Sequence, residues 1–99
     1  MATPSQEAQW VLRAQWNDRE ALECLLRSIH PSMYRYLCGL VGTTSAGDVL
    51  QEVLITVYRK LTTLHDPELF RPWAYRVASR LAFRHLKKTK RLQEQGLEH

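Results

Sequence analysis

The chain has 99 residues, 44% of them apolar and 24% charged, with a formal charge of +4. That length allows one domain with one small core, and the apolar content is too high for a disordered chain. No apolar run approaches the roughly 20 residues needed to cross a bilayer, and the first residues do not read as a secretory segment.

The apolar period is helical along the whole chain, with no alternating strand pattern, so the expected fold is all-α: a small bundle of about four helices. Residues 6–15 form a short first helix with Trp10, Val11 and Ala14 on one side. Asn17 is expected to cap the second helix, with Glu20 as its reciprocal partner. Ala21, Leu22, Leu25, Leu26 and Ile29 follow on one face, Pro31 is expected to interrupt or kink the helix, and Met33, Tyr34, Leu37, Leu40 and Val41 resume the face until Gly42 stops it. Ser45 is the expected cap of a third helix, with Asp48 at its third position. Val49, Leu50, Val53, Leu54, Val57, Tyr58 and Leu61 make that helix's buried stripe. Residues 62–69 read as a loop or broken turn around Asp66-Pro67. The last helix carries Trp73, Val77 and Leu81 at four-residue spacing, flanked by Ala74, Ala78 and Ala82, which let a neighbour approach closely.

Charge singles out that last helix. Residues 1–50 hold four basic and five acidic groups, and residues 51–99 hold ten and five. From Arg71 to Arg91 there are eight Lys/Arg side chains and no carboxylate. Arg76, Arg80, Arg84 and Lys88 recur every four residues, with Lys87 and Arg91 beside them, so like charges share a helix face and repel unless a polyanion or an acidic partner covers them. This stripe is expected to occupy a different sector of the helix from the apolar one.

Catalytic patterns are absent: there is no glycine-rich phosphate loop, and the Ser, His and Asp residues are scattered. His30, His65 and His85 are not at zinc-ligand spacing with Cys24 and Cys38, which read as free thiols within helices. Asp48 and Glu52, one turn apart next to Gln51, read as a protein-binding surface. No enzyme activity, metal or cofactor is expected.

Two linked motifs carry a resemblance. Residues 48–61 (DVLQEVLITVYRKL) and 70–78 (FRPWAYRVA) resemble region 2 of the bacterial extracytoplasmic-function (ECF) sigma factors, of the sigma-70 superfamily. In that family a D-L-V-Q-E-V-F-L-x-V-W-x-K-L helix is followed by F-R-x-W-L-Y-x-I-A-x-N. Asp18 to Gly42 is similar to the family's opening helices, so the likeness covers roughly residues 8–90. The domain is placed at 6–92. Leu97-Glu98-His99 reads as the start of an expression-tag remnant, and the natural chain is expected to continue past Gly96.

The resemblance implies a cytoplasmic bacterial transcription initiation factor domain. It would bind the β′ clamp helices of RNA polymerase and recognise and melt the promoter −10 element, capturing the non-template strand. By position, Asp48, Gln51, Glu52 and, further along, Arg59 match the polymerase-contacting patch. The loop with His65 and Asp66 matches the segment that receives a flipped base. Arg71, Trp73, Arg76, Arg80, Arg84, Lys87 and Lys88 fall where the promoter-facing helix meets DNA. Trp73 also keeps register with Val77 and Leu81, so a core role stands beside base stacking, and Tyr75 reads as the more solvent-facing aromatic. Ser45 and Gly47 stand at positions usually acidic in the family, and Leu54 replaces a common Phe. Arg80 replaces Asn and Arg84 replaces Asp, which favours phosphate or guanine contacts over the usual −10 readout. The linker and region 4 that read a −35 element do not fit in 99 residues. An anti-sigma factor is a further expected partner, no membrane is involved, and a monomer is expected. The alternative is a helical interaction module whose basic face docks on an acidic protein without reading promoter DNA.

Overall fold

The computed structural model describes residues 3–97 of the chain. Among them the secondary structure is helical: α1 (Pro4–Gln15), α2 (Arg19–Val41), α3 (Thr43–Lys60) and α4 (Phe70–Leu97), with two 3-10 turns, Leu61–Thr63 and Pro67–Leu69, between α3 and α4. Glu98 and His99 of the expected tag remnant lie outside the described residues.

α1 begins under a Thr3 cap whose hydroxyl accepts from the Gln6 amide, with Pro4 in the first turn, where its missing N–H costs nothing. It ends differently from the expectation. Asn17 takes φ +69°, its amide bonds to the Ala14 carbonyl, and the Asp18 amide bonds to the Arg13 carbonyl. This is a Schellman closure in which Asn tolerates the left-handed position. Asn17 therefore closes α1, and Asp18 caps α2 by accepting from the Ala21 amide at 3.1 Å. The Arg13 guanidinium reaches the same carboxylate at 2.8 Å, so one residue links both helix ends. The Ala21 amide and then Arg13 hold the Asp18 carboxyl below its usual range, against a smaller effect of burial.

Pro31 does not interrupt α2. The helix runs through it to Val41, and the proline is exposed while Ala21, Leu25, Ile29, Met33 and Leu37 form an unbroken buried row on the other side. The missing hydrogen bond is offset by packing along that row. Gly42 serves both helices at their junction. Its φ of +85° with ψ of 161° is open only to glycine, its amide closes α2 on Cys38, and its carbonyl accepts from Ala46 to start α3. Ser45 consequently lies inside α3 and caps nothing.

α2, α3 and α4 converge on one core. Its fully enclosed centre holds Leu25, Ile29, Met33 and Leu37 from α2, Val53 and Val57 from α3, Phe70 from α4 and Val11 from α1. Ala74, Ala78 and Ala82 have no exposed surface and let α4 approach its neighbours closely. Tyr58 does not join the core as expected: it is 61% exposed, rotated past the edge of the buried stripe. From Phe83 to Gly96 no residue of α4 is buried, so this half projects from the bundle and accounts for the 53 Å long axis.

A polar seam locks α1, α2 and α4 in register. The Glu7 carboxylate is almost fully buried and receives Arg71 Nε at 2.8 Å, Arg71 Nη2 at 2.9 Å and the Ser28 hydroxyl at 3.0 Å. The Tyr75 hydroxyl donates to Ser32 Oγ at 2.9 Å, and the Tyr36 and Ser79 hydroxyls bond at 2.7 Å. No buried side-chain polar atom among the described residues lacks a partner.

Candidate nucleic-acid interface

α3 and α4 leave a groove between them lined by Thr56, Lys60, Trp73, Arg76, Val77, Arg80, Leu81 and Arg84. Four cations thus rim a floor made by Trp73, Val77 and Leu81. The basic and apolar stripes of α4 were expected in separate sectors. They interleave instead, because positions 73, 77 and 81 and positions 80 and 84 lie within about one quarter of the helix circumference at 100° per residue. The groove measures about 290 Å³, slightly below the usual range for small-molecule pockets. It suits part of a longer ligand lying across it better than a free metabolite.

Trp73 is half-buried and packs partly against the core. Its ring packs against Phe70 at 6.2 Å between centroids, and its open side faces the groove. Tyr75 turns the other way, towards α2, where its ring meets Tyr36 edge-on at 5.0 Å; the solvent-facing expectation for it is corrected. Arg71 is withdrawn from the cationic face altogether, since its guanidinium is spent on Glu7, a bond that raises its already high pKa. Lys87 and Lys88 stand exposed on the projecting half of α4.

At the base of the groove the chain crosses from α3 to α4 through the two 3-10 turns. His65 is exposed at the bend between them, and Asp66 caps the second turn by accepting from the Glu68 amide at 3.0 Å. Leu64 and Phe70 anchor the crossing in the core, while His65, Asp66, Glu68 and Leu69 remain open to solvent.

The outer face of α3 presents Asp48, Gln51, Glu52 and Arg59, all exposed. Ile55 lies among them, 43% exposed, and Tyr58 borders them. The sequence pattern did not single out these two as surface residues, nor Lys60 and Thr56 as groove residues. Glu52 faces Arg84 at 3.7 Å, so the acidic face of α3 touches the cationic rim of α4.

The segment 25–92, well over half of the chain, matches the family model for sigma-70 region 2. The chain belongs to the sigma-70 region 2 family. Its all-helical bundle is the architecture of that family, whose members are transcription factors without catalytic activity. Comparison with curated proteins finds no match, and neither does comparison with solved structures. Membership gives this sigma-70 region 2 domain a role in transcription and RNA polymerase as its general partner. It also gives the groove a context, since the matched segment contains α3, the crossing turns and the basic part of α4 up to residue 92. Among the described residues no three His, Cys, Asp or Glu side chains converge as metal ligands, and Cys24 and Cys38 are free and half-buried. No described helix is long and apolar enough to cross a membrane.

Proposed function

We propose that this domain is the region 2 of an ECF-type sigma factor, acting in the bacterial cytoplasm. It docks through the outer face of α3 on the β′ clamp helices of RNA polymerase and holds the melted non-template strand of a promoter −10 element along α4. The observation that carries the reading is the groove in which Lys60, Arg76, Arg80 and Arg84 surround the open side of Trp73. Cations supply salt-dependent attraction to phosphates, and an aromatic face supplies sequence-tolerant stacking. Lys87 and Lys88 extend the positive track along the strand. Base choice falls to the exposed turn at His65 and Asp66, where an extruded base is enclosed by the crossing segment. Asp48, Gln51, Glu52, Ile55, Tyr58 and Arg59 form the protein-docking face. An anti-sigma protein would act by covering either surface.

Titrating the folded domain with the isolated clamp-helix fragment, residue by residue in solution, tests the first half. Shifts should centre on Asp48, Gln51, Glu52 and Arg59. Absence of binding at high micromolar concentration, with helical content intact, would move the reading to an interaction module for an acidic protein. The DNA half is tested by Arg80→Ala combined with Arg84→Ala. The slope of log affinity against log salt on single-stranded DNA should flatten by about 1.4, at roughly 0.7 for each phosphate no longer neutralised. An unchanged slope would place the strand elsewhere.

A further inference from the structure

Two hydrogen-bonded tethers hold the segment between α3 and α4, and both come from α1. The Gln15 side-chain amide donates its two protons to the carbonyls of Leu61 and Leu64, at 2.8 and 2.9 Å. These carbonyls bracket the first 3-10 turn, one at its first residue and one just past its end. Leu61 also accepts from the Leu64 amide, so Gln15 clamps a turn that is already closed on itself. At the other end of the crossing, Glu7 receives two nitrogens of Arg71, the second residue of α4. Glu7 and Gln15 are eight residues apart, about 12 Å along α1, and they grip the chain on either side of His65–Leu69. Between the grips, Asp66 closes the turn on itself through the Glu68 amide. Both α1 residues precede position 25, where the family-matched segment begins.

We propose that α1 sets the shape of the base-receiving turn, with Gln15 as its principal positioning residue, so that base selection by this domain depends on residues outside the family-matched segment. The inference rests on the reading above, that the turn takes a base. A turn held at both ends encloses a base at a lower ordering cost than a free one, and it rejects bases that would require it to move. The stripe on α4 attracts phosphates whatever the turn's shape. Loosening the tether should therefore separate discrimination from affinity, whereas a purely structural Gln15 would change stability and leave the relative affinities of different bases alone.

The test uses wild type and Gln15→Met, which keeps the side chain's bulk but removes its donors. Each is titrated with short single-stranded DNA oligonucleotides differing at one position, and backbone amide exchange is followed in parallel. Wild type should prefer one base at one position. Gln15→Met should lose that preference to within about twofold while its salt slope is retained. Exchange at the amides of Leu64, Glu68 and Leu69, which bond within the crossing, should rise about tenfold, with Val53 and Ala78 unchanged. A folded Gln15→Met that keeps both the preference and the slow exchange would overturn the inference and leave the DNA reading standing. A wild type that prefers no base would instead sink the base-receiving reading, and this inference with it. If Gln15→Met does not fold, Gln15→Ala, which favours helix and lets water reach the two carbonyls, carries the same comparison.

Discussion

Arg71 begins the run of basic residues, yet its role is internal because an almost fully buried carboxylate lies within its reach. Removing it leaves Glu7 with only the Ser28 hydroxyl to offset desolvation. Arg71→Ala should cost about 3 kcal/mol in urea denaturation, the low end for a broken buried pair since Arg71 itself is partly exposed. The same variant, where still folded, should keep the salt dependence of DNA binding, in contrast to Arg80 and Arg84. Asp18 makes a prediction in pH. Its carboxyl is held below the ordinary range by the Ala21 amide and Arg13. Its contribution is therefore complete above the unfolded value, near pH 4, and is lost as pH falls through the lower folded value. Asp18→Asn keeps an acceptor for the cap and should flatten the acid limb of a stability profile taken between about pH 2 and 7.

α4 is two elements in one helix. From Phe70 to Ala82 it supplies core side chains. From Phe83 to Gly96 it supplies no buried ones, only exposed residues, many of them cationic, and the half-buried His85 and Thr89. Helix propensity alone sustains a short isolated helix poorly, and the repulsion among Arg84, Lys87, Lys88 and Arg91 weakens it further. Amides beyond residue 86 should exchange at least about a hundredfold faster than those of Ala78 and Ala82. Adding single-stranded DNA should slow them, because phosphates relieve the repulsion. Exchange rates uniform along α4 would show instead that its projecting half is stabilised in the free domain. α2 shows the opposite balance: it holds a proline within a continuous helix because its buried row runs from Ala21 to Leu37.

Across the whole molecule, the proposed polymerase face and the proposed DNA groove meet at Glu52 and Arg84. The two side chains are 62% and 73% exposed, so the pair contributes at most about 1 kcal/mol. That is enough for a several-fold effect. Clamp helices engaging Glu52 would release Arg84 for phosphate, so each partner would strengthen binding of the other by the same factor. Glu52→Gln should tighten single-stranded DNA binding by up to about fivefold at low salt, the equivalent of that energy. Asp48→Asn, which removes a charge one turn away, sets the baseline for long-range charge alone. Equal effects from the two variants would leave no specific coupling through the pair.

The sequence by itself determined the class of fold, the approximate placement of the helices, the Gly42 junction, the crossing at Asp66-Pro67 and the family. These follow from local matters: the 3.6-residue period, the φ that only glycine accepts, and contiguous motifs. Tertiary structure decided which neighbours each side chain meets. Asn17 left the α2 cap to Asp18 because α1 closes through a left-handed residue at Asn17. Pro31 stayed helical because packing along α2 outweighs one lost hydrogen bond. Arg71 left the basic face because Glu7, 64 residues away in sequence, is adjacent in space. Tyr58 reached solvent, and Lys60 and Thr56 entered the groove, because the orientation of α3 against α4 sets which edge of each stripe is covered. Helical period assigns a residue to a side of its own helix. Only the packing of one helix on another turns that side into core, groove or docking face.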